Sequence, residues 1–360
     1  MINNLLIVLV ISFAIYFLID ILFLRKKSKR FIYRARLVNV LFVLGILSGF
    51  YITITQMTLY IFLQIFLLNI AELCVLALAT TGIVLIFKTS VTTNFAQGTM
   101  ATFGAFFAAK LLLYLTRFVD MSMTLKLILA LCASAFVAFL IGLFIDVVII
   151  RNGKNVNSIG KQMITMGLVL LLLGLMPLVY GLIPLTVEAF SYDVKIFTLG
   201  EMTLILPDHN YYSLIITVAI LLVLFISLRF TKWGLGVRAT ASNEIVAGMM
   251  GVNTRIITAM SWGIAGALGG VAAFLYAPVG SQVSVSYMVP VQVNAFLASV
   301  LGGFSTFGGP LVGVVLINLF QSMASFFNSV WSNVIVYTLV LILVLAKPFG
   351  LFGKRTAKKV

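Results

Sequence analysis

Long apolar runs recur along almost the whole chain, and they restrict the fold more than any other feature. A helix needs about 20 apolar residues to cross the hydrocarbon core of a bilayer. Lipid offers no hydrogen-bond partners to an open backbone, so such runs are expected to be helical. Eleven runs can be marked, the ninth shorter than the rest: 5–24, 37–57, 60–87, 99–116, 125–150, 162–181, 211–228, 256–276, 289–301, 308–326 and 333–346. The sequence therefore predicts an all-α polytopic membrane protein with about 10–11 transmembrane helices.

Composition supports this class and argues against a nucleic-acid partner. Hydrophobic residues make up 62% of the chain and charged residues make up 9%. Soluble domains contain roughly 45–50% apolar residues and about 25% charged residues. The net charge of +15 is spread over the ends of the apolar runs and forms no isolated patch. Membrane lipids are therefore the expected neighbours of these cations. Cys74 and Cys132 lie inside apolar runs without metal-ligand spacing, which predicts small core residues and no metal site.

The distribution of Lys and Arg predicts the orientation. With the N-terminus outside, 20 of the 24 Lys and Arg residues fall on the inner side, as the positive-inside rule requires. We therefore expect a cell-membrane protein with an external N-terminus and a cytosolic C-terminus. Residues 1–60 form an additional transmembrane hairpin in this interpretation, 61–354 the main domain, and 355–360 a basic cytosolic tail.

The longest helix-competent polar stretch lies in the centre of the chain, at 230–256. Ser242 or Asn243 can cap a short helix, and Glu244 then lies in its positively polarised first turn. Gly251 follows where a helix end favours a left-handed residue. Between them stand apolar side chains that include Ile245 and Met249. Such an apolar projection is typical of a segment that enters a groove on a partner; the alternative is an amphipathic helix lying on the membrane surface.

Two polar or glycine-rich breaks interrupt the apolar pattern. The first includes Asn94, Phe95, Gln97 and Gly98, and the second is centred on the Gly302-Gly303 pair. Unwound backbone in a membrane is tolerated where it is buried in protein or lines a cavity, so discontinuous helices along a translocation path are one interpretation. Close packing of helices through small residues is the other.

Glu72 lies well inside the third apolar run, where a carboxylate is costly and should face protein, water or a ligand. A contact with the ammonium group of a transported solute and a structural hydrogen bond are both compatible with this position.

Four motifs resemble those of permeases from branched-chain amino acid ABC importers. They are NFAQG after the GIVLIF helix, GLGVRATASNEIVAGMMGVNT in the central loop, FLASVLGGFSTFGGPLVGVVL, and AKPFGLFGK near the end. The resemblance covers about residues 68–354, with order and spacing preserved. Gln97 stands where the family motif has His, so a role that needs an imidazole does not carry over.

The resemblance implies a type II ABC importer-like permease with two structural repeats and broken helices. The expected partners are ATP-binding subunits, a second permease that is the same or a different chain, and an extracytoplasmic substrate-binding protein. The central loop would couple to the ATPase through Arg238, Ser242, Asn243, Glu244, Ile245, Met249 and Gly251. The translocation path would include Glu72, Asn94, Phe95, Gln97, Gly98, Gly302 and Gly303.

Catalysis by this chain itself is not expected. The sequence has no G-x-x-x-x-G-K-[ST] phosphate loop, so ATP hydrolysis would come from a partner. No cofactor is expected. Branched-chain or other hydrophobic amino acids are the expected cargo; nucleosides, urea and amides stay open within the same class. Outside it, an ion-coupled secondary transporter and a lipid-modifying membrane enzyme are the alternatives.

Overall fold

A computed structural model describes residues 59–353 except 154–155, 200–201, 281, 305, 328 and 348–349. The predicted N-terminal transmembrane hairpin and the basic tail at 355–360 lie outside these residues.

Twelve α-helices and one β-hairpin make up the described part. The helices are α1 (Leu59–Leu68), α2 (Ile70–Ser90), α3 (Gln97–Phe118), α4 (Met123–Phe144, continued by a π-helical turn at Ile145–Ile150), α5 (Ser158–Tyr180), α6 (Asp208–Phe230), α7 (Lys232–Ser242), α8 (Glu244–Met249), α9 (Thr254–Tyr276), α10 (Val289–Gly302), α11 (Gly308–Phe327) and α12 (Ser332–Ala346). Strands β1 (Val194–Leu199) and β2 (Met202–Pro207) pair antiparallel between α5 and α6.

The membrane architecture predicted from the sequence is confirmed. Each apolar run from residue 60 onward corresponds to helix, and seven helices within the described residues are long and apolar enough to cross a membrane. The helices at 289–302 and 332–345 are apolar but shorter. The two predicted structural repeats stay a prediction.

The structure corrects the position expected for Glu72. The third run divides at Asn69 into α1 and α2, so Glu72 lies in the first turn of α2 instead of the interior of one long helix. A contact from α6 accompanies this division. The Asn210 side-chain amide donates to the carbonyls of Leu67 and Leu68 at 3.1 and 2.8 Å, which satisfies the end of α1.

The β-hairpin was not expected from the sequence, and α1 holds it in place. Gln64 acts as a backbone mimic: its amide donates to the Ile205 carbonyl at 2.9 Å and accepts from the Ile205 N–H at 2.8 Å. The Tyr60 hydroxyl donates to the carbonyl of Thr203. These bonds pair the outer edge of β2, which would otherwise be unsatisfied.

The described part of the chain divides into two compact units, one that includes 60–319 and one that includes 320–348. In the second unit, the end of α11 and the start of α12 are joined by a hydrogen bond from Gln321 to Asn333 at 3.3 Å.

In the larger unit, α2 and α9 form the centre and α4 to α6 the periphery. The most apolar windows of α2 and α9 are 78% and 67% buried, whereas those of α5 and α6 are each 22% buried. The exposed faces of α4 to α6 are therefore the surfaces available to lipid. Cys74 is buried on α2 as expected, but Cys132 is exposed on α4, so its assignment as a core residue was wrong.

Small residues bring α9 into backbone contact with α4. A Cβ added at Gly266 would meet the carbonyl of Ala138, and one at Gly270 would meet that of Ser134. The Ser134 hydroxyl also donates to the Gly270 carbonyl at 2.8 Å. Lipid supplies little hydrophobic drive for helix association, so close packing of this kind holds such helices together.

We expect Gly266→Ala to destabilise the protein, because its methyl group cannot enter the contact with Ala138 without separating the helices. Overpacking of this kind costs about 1–3 kcal/mol. Thermal unfolding of the detergent-purified chain should show a lower midpoint. The matched control is Gly174→Ala on α5, where an added Cβ meets nothing within 4 Å. Equal midpoints for the two variants would contradict the packing argument.

Candidate functional site

The central polar stretch forms two helices joined by Asn243. The Asn243 side-chain oxygen accepts hydrogen bonds from the N–H groups of Ile245 and Val246 at 3.0 and 3.1 Å. Of the two caps predicted for this helix, Asn243 is therefore the one used. Ser242 closes the preceding helix α7, and Glu244 lies in the first turn of α8, where its charge favours the helix.

Gly251 ends α8 in the conformation expected from the sequence. Its φ is +86°, and the N–H of Val252 donates to Ala247 while that of Gly251 donates to Gly248. This pair of bonds is the Schellman arrangement, which needs a left-handed residue at this position. Glycine adopts this conformation without strain because it has no Cβ, so Gly251 fixes the end of α8.

Helix α8 presents a cluster of apolar side chains to solvent, here called the knob: Ile245, Val246, Met249 and Met250. Their exposed fractions are 72%, 51%, 81% and 79%, while Ala247 on the opposite side is buried. Exposed apolar side chains grouped on one short helix mark an interaction surface.

Helix α7 is fastened to the membrane helices. Arg238 donates from Nη1 to the carbonyls of Leu228 and Arg229 at 2.7 and 3.2 Å, at the end of α6. Gly234 allows α7 to touch the backbone at Leu228, since an added Cβ would meet the Leu228 carbonyl. Arg238 was predicted as a contact to a partner; the structure uses it first to satisfy the end of α6.

Arg151 is a residue that the sequence interpretation missed, because it looked like part of an ordinary basic turn. It pairs with Asp146 at 3.0 Å and also donates to the carbonyl of Arg255 at 2.9 Å. It therefore ties the end of α4 to the start of α9, next to the segment that carries the knob. A carboxylate five residues before the arginine was the available signal.

The first break, residues 91–96, is non-helical and mostly buried. Asn94 is 1% exposed, and its side chain accepts from the N–H of Ala96 at 2.9 Å. The N–H of Phe95 donates to the hydroxyl of Thr165 on α5. Gly98 lies against Gln292 on α10. This predicted break is therefore enclosed by protein on several sides.

Gln97 connects three helices. From the start of α3, its Nε2 donates to the carbonyls of Ala79 on α2 and Ala265 on α9, both at 3.3 Å. Gly82 provides the space, because an added Cβ would collide with that nitrogen. The buried Oε1 of Gln97 has no hydrogen-bond partner in the described part of the chain. Gln97 thus acts as a clamp between helices.

The second break, between α10 and α11, is a close backbone contact. A Cβ at Gly302 would meet the Gly309 carbonyl, and Gly303 has a φ of +86°. The C-terminal motif completes it: the N–H groups of Leu351 and Phe352 donate to the carbonyls of Leu301 and Gly302 at 2.8 and 3.3 Å. The glycines that were predicted along a path are thus also packing residues.

At the opposite end of the helices, Glu72 is half-buried near Tyr276. The ring of Tyr276 stacks on that of Tyr287 with centroids 6.0 Å apart, and Tyr287 donates its hydroxyl to the Ala273 carbonyl. Burial, with the neighbouring Tyr276, raises the pKa of Tyr287 well above its ordinary value, so this hydroxyl stays a donor.

Two loops meet at that same end. Leu185 and Val283 form an isolated antiparallel bridge, with N–H to carbonyl distances of 3.1 and 2.7 Å. The bridge joins the long segment between α5 and β1 to the segment between α9 and α10. The two loops therefore form one connected surface.

Comparison with known proteins agrees with this architecture. A protein-family model described as branched-chain amino acid transport system / permease component matches residues 65–345. The high-affinity branched-chain amino acid transport system permease protein LivH of Escherichia coli (strain K12) is 26% identical over 147 residues, covering 41% of this chain and 48% of the relative.

Other relatives give the same result. The corresponding permease protein BraD of Pseudomonas aeruginosa is 26% identical over 168 residues, covering 46% of this chain and 55% of its own length. A probable branched-chain amino acid transport permease protein LivH of Methanocaldococcus jannaschii is 26% identical over 151 residues, covering 40% of this chain and 48% of the relative. The chain spans about half the length of the curated relatives that it matches. No solved structure shows significant similarity to it.

We expect Gly251→Ala to loosen the knob, because a side chain at a φ of +86° is strained. The left-handed conformation costs about 1–2 kcal/mol for a residue other than glycine. Hydrogen exchange of the backbone amides at 245–252 should become roughly tenfold faster. Gly248→Ala is the matched control, since Gly248 lies inside α8 in open space. Unchanged exchange in Gly251→Ala would show that this glycine does not fix the helix end.

Proposed function

Because the chain belongs to the branched-chain amino acid transport system permease component family, we propose that it is the transmembrane permease subunit of an ATP-driven importer. The expected cargo is a branched-chain or other hydrophobic amino acid, by analogy with the permeases named LivH and BraD. In this proposal the chain is a multi-pass protein of the cell membrane, and ATP is hydrolysed by a partner subunit.

The observation that carries the proposal is the exposed knob on a rigid support. Four apolar side chains project from α8, and α7 behind them is bonded to the end of α6. An apolar helix face of this kind suits a hydrophobic groove on another protein. We place the ATP-binding subunit there, with Glu244 as a polar contact beside the apolar ones and Arg238 holding α7 against the end of α6.

The support of the knob explains how docking can drive transport. A push on α8 reaches α6 through Arg238 and α9 through Val252, because Gly236 lets Val252 and Ile257 approach α7 closely. Partner closure on ATP binding then favours one arrangement of the membrane helices and release favours the other. ATP can shift such an equilibrium only by its different affinity for the two states.

Along the path, we propose different roles for the two groups of residues. Glu72 is half-buried, and we propose that it lies near the outer end and meets the ammonium group of an incoming amino acid. Asn94, Gln97 and the glycines of the second break act by holding the interrupted helices in place. Phe95 is half-buried beside Phe296, with ring centroids 5.7 Å apart.

The remaining partners follow from the same proposal. The joined outer loops, with the β-hairpin between them and α6, are the surface for a substrate-binding protein. A second permease, identical or different, completes the path. The end that carries the knob is cytosolic, in accordance with its arginines and lysines.

Purification from native membranes tests the assembly. We expect an ATPase with nucleotide-binding motifs, a second permease and a substrate-binding protein to co-purify with the chain. Screening the binding protein against leucine, isoleucine, valine, nucleosides and urea then identifies the cargo. A chain that purifies alone, with uptake abolished by an uncoupler and indifferent to ATP, would instead indicate an ion-coupled transporter.

The double variant Ile245→Ala/Met249→Ala tests the knob. If both side chains enter a groove, truncating them removes about 2–4 kcal/mol of binding free energy. Co-purification of the ATPase should therefore weaken about 30-fold or more, and uptake should fall with it. Circular dichroism and surface expression of the variant should match the wild-type chain, because both side chains are exposed.

Leu235→Ala is the matched control for this test. Leu235 is 61% exposed on the neighbouring α7 and lies outside the knob. It should co-purify with the ATPase as the wild-type chain does. If the control lost the partner as strongly as the double variant, docking would not be centred on α8.

A further inference from the structure

A pocket of about 560 Å³ lies beside α7, at the ends of α2 and α6. Its volume is within the range of small-molecule sites, about 300–1,000 Å³. It is lined by Lys88, Phe225, Leu228, Arg229, Val237, Arg238, Ala241, Ser242, Thr306 and Phe307.

The pocket concentrates positive charge from three parts of the chain. Lys88 comes from the last turn of α2, Arg229 from the last turn of α6, and Arg238 from α7. None of the lining residues is acidic. The positive charge of the lining favours an anion that enters the cavity.

The two arginines have donors to offer to such an anion. Arg238 uses Nη1 for the carbonyls of Leu228 and Arg229. A guanidinium has five N–H donors, so its Nη2 and Nε groups are not consumed by these bonds. Arg229 is exposed, and the structure gives it no carboxylate partner among the described residues. The hydroxyls of Ser242 and Thr306 add neutral donors to the lining.

One wall of the pocket is apolar and aromatic. Phe225 and Phe307 meet edge to face with centroids 6.5 Å apart, and Lys88 Nζ lies 5.1 Å from the centre of the Phe307 ring. Leu228 and Val237 are buried beside them. The pocket therefore combines an anion-binding region with an apolar surface, which suits an amphipathic ligand.

We propose that this pocket binds a phosphate group, and that its source is the headgroup of an anionic phospholipid. Basic pockets at the membrane end of transmembrane helices are suited to such headgroups. Lys88 and Arg229 lie in the last turns of two helices that are long and apolar enough to cross a membrane, so we expect them at headgroup depth. A phosphate bound between Lys88 and Arg238 would join α2 to the helix that supports the knob.

Binding of short-chain lipids to the purified full-length chain tests the proposal. Dihexanoyl-phosphatidylglycerol is titrated and followed by native mass spectrometry, with dihexanoyl-phosphatidylcholine as the lipid of zero net charge. The wild-type chain should bind the anionic lipid in preference. Lys88→Gln/Arg229→Gln should weaken that binding about 30-fold, since each cation near a membrane contributes about fivefold.

Lys232→Gln/Arg255→Gln is the matched control. Both residues are exposed and flank the same polar stretch, but neither lines the pocket. This variant removes the same amount of charge and should change affinity less than twofold. Ala241→Glu is a second probe, because it places a carboxylate at an exposed lining position and keeps the three cations. It should also abolish preference for the anionic lipid.

Inorganic phosphate and glycerol 1-phosphate distinguish the source of the phosphate. If either competes at the same concentration as the lipid, the pocket binds phosphate from a soluble ligand and the apolar wall adds nothing. Equal lipid affinity of the pocket variant and the control would overturn the proposal. It would also be overturned if the pocket variant lost the co-purifying ATPase while lipid binding stayed intact, since the cations would then meet an acidic protein partner.

Discussion

Buried backbone groups that leave a helix must find partners within the protein, and the two breaks of this chain depend on that pairing. At the first break, Asn94 accepts from Ala96 and Thr165 accepts from Phe95. At the second, the backbone of Leu351 and Phe352 donates to the end of α10. The motifs around Asn94 and Gly350 therefore have a structural reason that is independent of any transported solute.

Close helix contacts are the second requirement of the fold. Gly266 and Gly270 bring α9 against α4, and Gly82 admits the Gln97 amide between α2 and α9. Methyl groups at these places would force the central helices apart. Packing and hydrogen bonding thus act on the same few helices. Helix α9 carries Gly266 and Gly270, and its Ala265 carbonyl accepts a hydrogen bond from Gln97. The Arg255 carbonyl of α9 also accepts a hydrogen bond from Arg151. A displacement of α9 would therefore be felt throughout the bundle.

The helices and the shape of the central loop were predictable, because residue types at single positions determine them. The apolar runs predicted the helices. Asn243 and Gly251 predicted the two ends of α8, and the spacing of Ile245 and Met249 predicted the exposed knob. What could not be predicted depends on partners distant in sequence. No residue near Asn69 in the sequence indicates that the Asn210 side chain will bind the end of α1 there. Gln97 was predicted along a path, but its hydrogen bonds to the carbonyls of Ala79 and Ala265 could not be predicted from its neighbours in the sequence. The hairpin likewise depends on Gln64, which pairs with Ile205 across a long stretch of chain.

Helix α7 connects these observations, because it belongs to the support of the knob and to the basic pocket at once. Arg238 cannot turn fully toward a ligand without releasing the carbonyls of Leu228 and Arg229. An anion therefore draws on its remaining N–H groups and leaves α7 attached to α6. Attachment of this kind favours movement of α6, α7 and α8 as one body. Under the proposed docking, this attachment, more than contact area, determines how much of a partner's motion reaches the membrane helices.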